Sequence, residues 1–241
     1  MRDPHAFARH AVSCTDLTDL SDDASAEQAN ALAQRAFGLP VAVAALCIWP
    51  RFVAQTHSAL QNSPIKVATV VNFPQGGEDI HATCEKTTRA VHAGADEIDL
   101  VLPWQAFLDG RESDAAGMIR AVRKACEKAH LKVILETGAL AQEKAIRAAS
   151  RLALAEGADF LKTSTGKIAI SATPEAARFM LEEIQFSGRN VGFKASGGLR
   201  TFEQARLYFD LAEEIMGAGW ATPDHFRYGA SGLLDTLLQH F

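Results

Sequence analysis

The sequence has few of the features that mark secreted, membrane-spanning or nucleic-acid-binding proteins. Its 241 residues include only four cysteines, none in a Cys-x-x-Cys pair, and widely spaced thiols of this kind are typical of a reducing compartment. The longest apolar run, 41–49, has nine residues, too few to span a bilayer. The formal net charge of -5 gives no electrostatic reason to expect a nucleic acid partner. We therefore expect a cytoplasmic protein without a signal peptide, a membrane segment or bound nucleic acid.

Motifs for metal and nucleotide binding are also missing. The eight histidines show no two-, three- or four-residue spacing, which lowers the odds of a metal site. The segment 163–167 resembles part of a nucleotide-binding P-loop. However, Leu161 stands where that motif needs its first glycine, and Ile168 follows Lys167 where it needs serine or threonine. We expect neither nucleotide hydrolysis nor a metal or organic cofactor.

Apolar runs alternate with amphipathic stretches along the chain. Strands are predicted at 41–48, 66–71, 97–102 and 132–135, in the segments around Lys162 and Lys194, and less strongly at 214–218 and 226–230. Helices are predicted at 79–93, 113–129 and 142–156, and others begin at Thr173 and Thr201. This alternation favours a (β/α)₈ TIM barrel, with an open doubly wound sheet as the alternative. No linker divides residues 1–241, so we predict a single domain with an extra helix at 25–37 covering the barrel's N-terminal end.

Three ionisable side chains interrupt predicted buried strands. Lys162 and Lys194 are each followed by small and glycine residues, and Asp99 lies between Ile98 and Leu100. Burying an unpaired ammonium is costly, and loss of its proton relieves the cost. A neutral lysine attacks carbonyl groups. The pattern therefore indicates imine chemistry, with one lysine reacting and the other lowering its pKa, whereas structural ion pairs are the simpler alternative.

Glycine turns follow three of the predicted strands. They lie at Gly166, at Gly197-Gly198 and at 229–232. Backbone N–H groups in such turns bind phosphate, and barrel phosphate sites are frequently built from the late βα-loops. Each turn alone is a weak signal, because glycine also serves simple turn geometry. Glu136 follows the fourth predicted strand and is left unassigned between two roles, orienting polar groups in the pocket and capping a turn. The acidic segment 16–23 is expected to be a solvated helix entry from which Asp16 could reach the pocket.

At these residues the chain resembles the deoxyribose-phosphate aldolase family of class I aldolases. The resemblance is carried by residues 14–18, 47–52, 68–74, 94–99, 160–167, 192–201 and 228–234. It implies a barrel fold, Lys162 as the Schiff-base lysine, Lys194 as the neighbouring cation and Asp99 as the carboxylate that transfers protons with a water. It also implies a phosphosugar substrate, and a homodimer is common among members. The candidate substrate-binding residues are Asp16, Cys47, Thr163, Thr165, Gly166, Lys167, Gly197, Gly198, Arg200, Gly229 and Ser231.

The expected activity is reversible cleavage of 2-deoxy-D-ribose 5-phosphate to D-glyceraldehyde 3-phosphate and acetaldehyde, in deoxyribonucleotide catabolism. Two departures from the family pattern lie in the glycine turns. Ala195-Ser196 stands where members often have Pro-Ala, and Gly232 stands where a second serine commonly follows the position of Ser231. The alternatives are another imine-forming phosphosugar aldolase or transaldolase, and a non-catalytic sugar-phosphate-binding protein.

Overall fold

Eight parallel strands close into a barrel in chain order in the computed structural model, which describes residues 3–241. The strands are β1 (Thr15–Asp19), β2 (Ala45–Ile48), β3 (Lys66–Val71), β4 (Glu97–Val101), β5 (His130–Ile134), β6 (Phe160–Lys162), β7 (Gly192–Ser196) and β8 (Phe226–Ala230). β8 pairs with β1, with Thr15 opposite Tyr228. This closing pair excludes the open sheet, and the predicted (β/α)₈ barrel is confirmed.

Helices connect the strands around the outside of the barrel. They are α1 (Pro4–Ser13), α2 (Ala26–Phe37), α3 (Val53–Ala59), α4 (Ile80–His92), α5 (Trp104–Leu108), α6 (Glu112–Ala125), α7 (Thr137–Leu140), α8 (Glu143–Ala155), α9 (Pro174–Ser187), α10 (Phe202–Met216) and α11 (Leu233–Leu238). The predicted helix starts at Thr173 and Thr201 are confirmed, because both side chains accept the expected backbone N–H bonds. No helix within residues 3–241 is long and apolar enough to cross a membrane.

Two strands differ from the sequence-based prediction. β1 was not predicted, because its inward-facing residue, Asp16, breaks the apolar pattern that a buried strand normally shows. Conversely, the predicted strand at 214–218 is wrong: these residues form the last turn of α10 and the Gly217 cap that ends it. The predicted strand at 41–48 exists but begins only at Ala45.

The helix predicted at 25–37 is present as α2, with Ser25 and Gln28 forming a capping box. It follows β1, however, and is therefore the crossover helix of the first β/α unit. The helix that precedes the eightfold repeat is α1. It packs against α10 through Phe7, whose ring meets those of Phe202 and Phe209 edge-on at 5.1 and 5.4 Å.

The barrel interior has an apolar side and an ionic side. Leu20, Ala45, Cys47, Ala68 and Val70 form a small apolar cluster along β2 and β3. The inward-facing charged residues come from β1, β4, β5, β6, β7 and β8. Because neighbouring strands are in register, paired residues face the same way: Asp99 lies beside Lys132, and Lys162 beside Lys194. The register alone thus brings these side chains together inside the barrel.

Candidate active site

A cavity of about 780 Å³ opens at the carboxyl ends of β1, β6, β7 and β8. This is the end of a TIM barrel where reactive groups gather. Of the predicted site residues, those that line it are Lys162, Thr165, Gly166, Lys167, Gly197, Gly198, Arg200, Gly229 and Ser231. Residues 18–21, at the end of β1, also line the cavity. Sequence reasoning missed them because it missed that strand.

Five predicted site residues are buried and do not line the cavity: Asp16, Cys47, Asp99, Thr163 and Lys194. Thr163 bonds the backbone carbonyl oxygen of Ser196 at 3.1 Å and so joins β6 to β7. Cys47 belongs to the apolar cluster, and burial raises the pKa of its thiol. Direct contact between these two residues and a substrate stays a prediction.

Of the three lysines buried inside the barrel, Lys162 is the one that lines the cavity. It ends β6, its side chain is 4% exposed, and its Nζ lies 2.7 Å from Asp99 Oδ2. Burial lowers the pKa of Lys162 below its ordinary value, the Lys194 charge lowers it further, and the Asp99 carboxylate opposes both effects. The net direction favours the neutral, nucleophilic amine.

Asp99 is held between three amines. Its Oδ2 accepts hydrogen bonds from Lys162 at 2.7 Å and Lys194 at 2.9 Å, and its Oδ1 accepts one from Lys132 at 2.8 Å. Burial alone would raise the pKa of Asp99, but the charges of the three lysines outweigh burial and hold it well below its usual range. The carboxylate is therefore ionised and stabilises positive charge at Lys162 Nζ.

Lys194 differs from Lys162 in its second carboxylate. Its Nζ lies 2.5 Å from Asp16 Oδ2 as well as 2.9 Å from Asp99. Burial acts to lower the pKa of Lys194, yet the two carboxylates more than offset it and raise the pKa above its ordinary value. The two carboxylates thus favour the charged form of Lys194, beside a lysine that is driven toward neutrality.

Asp16 corrects the expectation for the acidic segment 16–23. It does not enter a solvated helix but lies on β1 with no exposed surface. Its carboxylate accepts a hydrogen bond from Lys194 and another, at 2.7 Å, from Arg227 Nη1. The buried position is tolerated because both of its oxygens are paired with cations.

Three charged residues of the interior escaped sequence reasoning: Glu97, Lys132 and Arg227. Lys132 Nζ lies 2.5 Å from Glu97 Oε2, and Arg227 Nη2 lies 3.0 Å from Glu97 Oε1. In the sequence, Glu97 and Lys132 stand at the beginning of the predicted strands, where charged residues are usually solvated. Glu97 is nevertheless two residues before Asp99, and residues two apart in a strand lie on the same face. Arg227 likewise lies between Phe226 and Tyr228 in β8, and this charge inside an apolar segment could have identified it as an interior residue.

These residues form one connected set, which we call the ionic network: Asp16, Glu97, Asp99, Lys132, Lys162, Lys194 and Arg227. It holds three carboxylates and four basic groups, so charge balance leaves one basic group without a counter-charge. Lys162 is the member whose pKa is lowered, whereas the pKa values of Lys132, Lys194 and Arg227 are all raised. Within residues 3–241, no group of three His, Cys, Asp or Glu side chains is arranged to hold a metal ion.

The glycine turns form another part of the cavity wall. Gly197 has φ +90°, and a Cβ there would lie 2.5 Å from Ser171 Cβ, so only glycine fits. Lys167 and Arg200 add positive charge to this wall, and Lys167 Nζ lies 3.0 Å from Asp22. Backbone N–H groups and two cations suit an anionic group such as phosphate.

The barrel and the amine at the end of β6 define this protein as a TIM-barrel enzyme of the aldolase class. The profile of the family described as DeoC/LacD family aldolase matches residues 10–234. The chain therefore belongs to the DeoC/LacD aldolase family, and it is a carbon–carbon lyase.

Individual relatives agree with this assignment. The chain is 52% identical to the deoxyribose-phosphate aldolase of Agrobacterium fabrum (strain C58) over 98% of its own length and 92% of the relative. A structure from Coccidioides immitis, assigned as a deoxyribose-phosphate aldolase, is 31% identical with a TM-score of 0.85, over 96% of this chain and 86% of that one. One from Toxoplasma gondii ME49 with the same assignment is 26% identical with a TM-score of 0.87, over 98% and 97% of the two chains.

Proposed function

We propose that this protein is a class I aldolase that reversibly cleaves 2-deoxy-D-ribose 5-phosphate to D-glyceraldehyde 3-phosphate and acetaldehyde. One observation carries the proposal: the amine of Lys162, desolvated and 2.7 Å from an ionised Asp99, opens into a cavity that Lys167 and Arg200 also line. The similarity to the Agrobacterium fabrum deoxyribose-phosphate aldolase supports the choice of substrate.

In the first step, the neutral Nζ of Lys162 attacks the aldehyde carbon C1 of the open-chain sugar. The carbinolamine takes up a proton from solvent and loses water, which gives a protonated imine whose positive charge is stabilised by the Asp99 carboxylate. Lys194 stays protonated and lowers the pKa of the Lys162 amine, so that a useful fraction is neutral before attack.

In the second step, the C2–C3 bond breaks. The C3 hydroxyl gives up its proton through a water to Asp99, C3 becomes the aldehyde carbon of glyceraldehyde 3-phosphate, and the bonding pair forms an enamine on C1, C2 and Nζ. Protonation of C2 and hydrolysis of the imine then release acetaldehyde and restore the Lys162 amine. The iminium is the electron sink that makes the carbon–carbon cleavage possible.

The phosphate end of the sugar is bound by the glycine turns. Lys167 and Arg200 supply charge, and the backbone around Gly197, Gly198 and Ser231 supplies hydrogen-bond donors. Because the chain's overall charge is negative, attraction of the anionic substrate depends on this local group. Gly232 offers no hydroxyl, so the backbone carries more of the binding.

Trapping the imine tests the proposal. Acetaldehyde and sodium borohydride are added to the protein, and the digest is analysed by peptide mass spectrometry. We expect a reduced two-carbon adduct on the peptide that contains Lys162, because its amine is the one that is both driven toward neutrality and open to the cavity. Release of glyceraldehyde 3-phosphate from 2-deoxyribose 5-phosphate is followed with a coupled assay.

The variant Lys162→Leu serves as the control, and we expect neither adduct nor turnover from it. Exposed lysines such as Lys66 provide an internal control for nonspecific labelling. An adduct on Lys194 would reverse the two roles. Turnover without any reducible adduct would exclude the class I mechanism.

We further propose that the enzyme works in the cytoplasm, in the breakdown of deoxyribonucleotides, and that residues 1–241 form a single domain. The cytoplasmic location is supported by four free cysteines, three of them buried. The catabolic role follows from the substrate, since 2-deoxyribose 5-phosphate derives from deoxynucleosides.

A further inference from the structure

Glu136 is a buried carboxylate that makes none of the ion pairs of the ionic network. It lies two residues beyond β5 and is 1% exposed. Its backbone is in the left-handed region, with φ 57° and ψ 60°, which residues with a Cβ seldom adopt. Such a conformation persists only where the surrounding contacts hold it, and it is frequently associated with functional sites.

Both carboxylate oxygens of Glu136 bind the same residue of the neighbouring β6 loop. Thr165 Oγ1 donates to Oε2 at 2.6 Å, and the Thr165 backbone N–H donates to Oε1 at 3.3 Å. With its proton committed to Glu136, the Thr165 hydroxyl oxygen accepts the backbone N–H of Lys167 at 3.1 Å. A single buried carboxylate thus determines the path of the backbone from Thr165 to Lys167.

This segment forms part of the cavity wall, whereas Glu136 itself does not line the cavity. Gly166 lies directly against the β7 loop, since a Cβ added to Gly197 would be 3.1 Å from Gly166 Cα. Displacing the β6 loop would therefore disturb two of the three glycine turns, the one at Gly166 and the one at Gly197-Gly198. It would leave Lys162 in place, because Lys162 is held by β6 and Asp99.

We propose that Glu136 is a positioning residue whose carboxylate holds Thr165, Gly166 and Lys167 in the conformation that receives the substrate's phosphate group. This role rests on the proposed function and deepens it: the preference for a phosphorylated sugar depends on Glu136, a residue that does not line the cavity. Glu136 does not touch the reacting carbon atoms. Its removal should therefore weaken phosphate recognition and spare imine formation.

Two variants separate the carboxylate from the backbone. Glu136→Gly removes the carboxylate and tolerates the left-handed conformation. Glu136→Gln keeps an acceptor for the Thr165 hydroxyl but turns an amide NH₂ toward the Thr165 N–H. Each is compared with the wild type by kcat/KM on 2-deoxyribose 5-phosphate and on unphosphorylated 2-deoxyribose, and by calorimetric binding of inorganic phosphate.

In Glu136→Gly we expect kcat/KM for the phosphorylated sugar to fall by about tenfold or more, with a change of less than about twofold for 2-deoxyribose. Phosphate affinity should fall in parallel, and the borohydride adduct at Lys162 should form as in the wild type. Glu136→Gln should recover part of the loss. If the ratio of kcat/KM between the two sugars were the same in Glu136→Gly as in the wild type, whether or not both values fall, the proposal would be overturned.

Failure of the proposed function gives a different result. If the wild type neither cleaves the sugar nor forms an adduct, the aldolase assignment fails. The phosphate affinities of wild type and Glu136→Gly still test the role of Glu136, and equal affinities would overturn that role. If Glu136→Gly does not fold, Glu136→Gln is measured instead, by the ratio of its kcat/KM values for the two sugars and by its phosphate affinity. Wild-type values of both in Glu136→Gln would overturn the role of Glu136.

Discussion

At the scale of single residues, the reactivity of Lys162 follows from the composition of the ionic network. Among residues 3–241, Lys132, Lys194 and Arg227 each contact two or more carboxylates within 4 Å, whereas Lys162 contacts that of Asp99 alone. Burial penalises every charge, so the least compensated one is the first to be lost. Lys162 is thus selected as the neutral amine by its partners as well as by its place at the cavity.

Changing the charge of the network should move the pH profile of the enzyme in a direction set by the sign of the change. Lys194→Leu removes a positive charge beside Lys162, which raises the Lys162 pKa, so the acid limb of kcat/KM should shift to higher pH by about one unit or more. Glu97→Gln removes a negative charge from the network, and the same limb should shift to lower pH. Both are measured as the pH dependence of kcat/KM for 2-deoxyribose 5-phosphate.

The matched control for this pair is Lys66→Leu, which removes a lysine charge at the exposed start of β3. It should leave the pH profile unchanged. Shifts of the same sign in Lys194→Leu and Glu97→Gln, or no shift in either, would contradict the electrostatic account of the Lys162 pKa.

At the scale of secondary structure elements, β6, β7 and β8 fit together through differences in side-chain size. Gly192 of β7 lies opposite Phe160 of β6, and a Cβ at Gly192 would be 2.3 Å from the Phe160 ring. The ring in turn lies 5.4 Å from the guanidinium carbon of Arg227, within cation–π range. The absent side chain at position 192 is therefore what allows an aromatic ring to fill the barrel interior beside the ionic network.

Gly192→Ala should therefore destabilise the protein by roughly 1–3 kcal/mol, the usual cost of overpacking a close-packed interior. The free energy of unfolding is measured by urea denaturation. The control is Gly117→Ala in α6, where the nearest atom to an added Cβ is 3.8 Å away. It should be neutral or stabilising by up to about 1 kcal/mol, because alanine is the better helix former. A Gly192→Ala variant as stable as the wild type would contradict the packing account.

The elements themselves were largely predictable from local pattern. α4 and α8 were predicted within one residue of their observed bounds, and the starts of α6, α9 and α10 were predicted equally closely, because apolar faces and helix caps are local signals. Both errors arose because the hydrophobic pattern was unusual. β1 was missed because a charged residue faces inward in a short strand, and 214–218 was assigned to a strand because the end of α10 is apolar. Such exceptions are resolved only by partners that are distant in sequence.

At the scale of the whole molecule, the oligomeric state can be measured directly in solution. The family resemblance of the sequence predicts a homodimer. Multi-angle light scattering after size exclusion should then give twice the chain mass of 25.9 kDa, persisting through a dilution series. A mass of one chain at every concentration would contradict the expectation. A single cooperative unfolding transition would support the proposed single domain.

The sequence by itself determined the alternation of strands and helices, since apolar periodicity and helix ends are local properties of the chain. It also singled out Lys162, Lys194 and Asp99, because a charge inside an apolar run is visible without coordinates. Only the tertiary structure decided which charges face each other: Lys194 pairs with Asp16, 178 residues away, and Arg227 with Glu97 across the barrel. Closure of β8 onto β1 and the register of the strands create these pairs, and local sequence carries no information about partners so far apart.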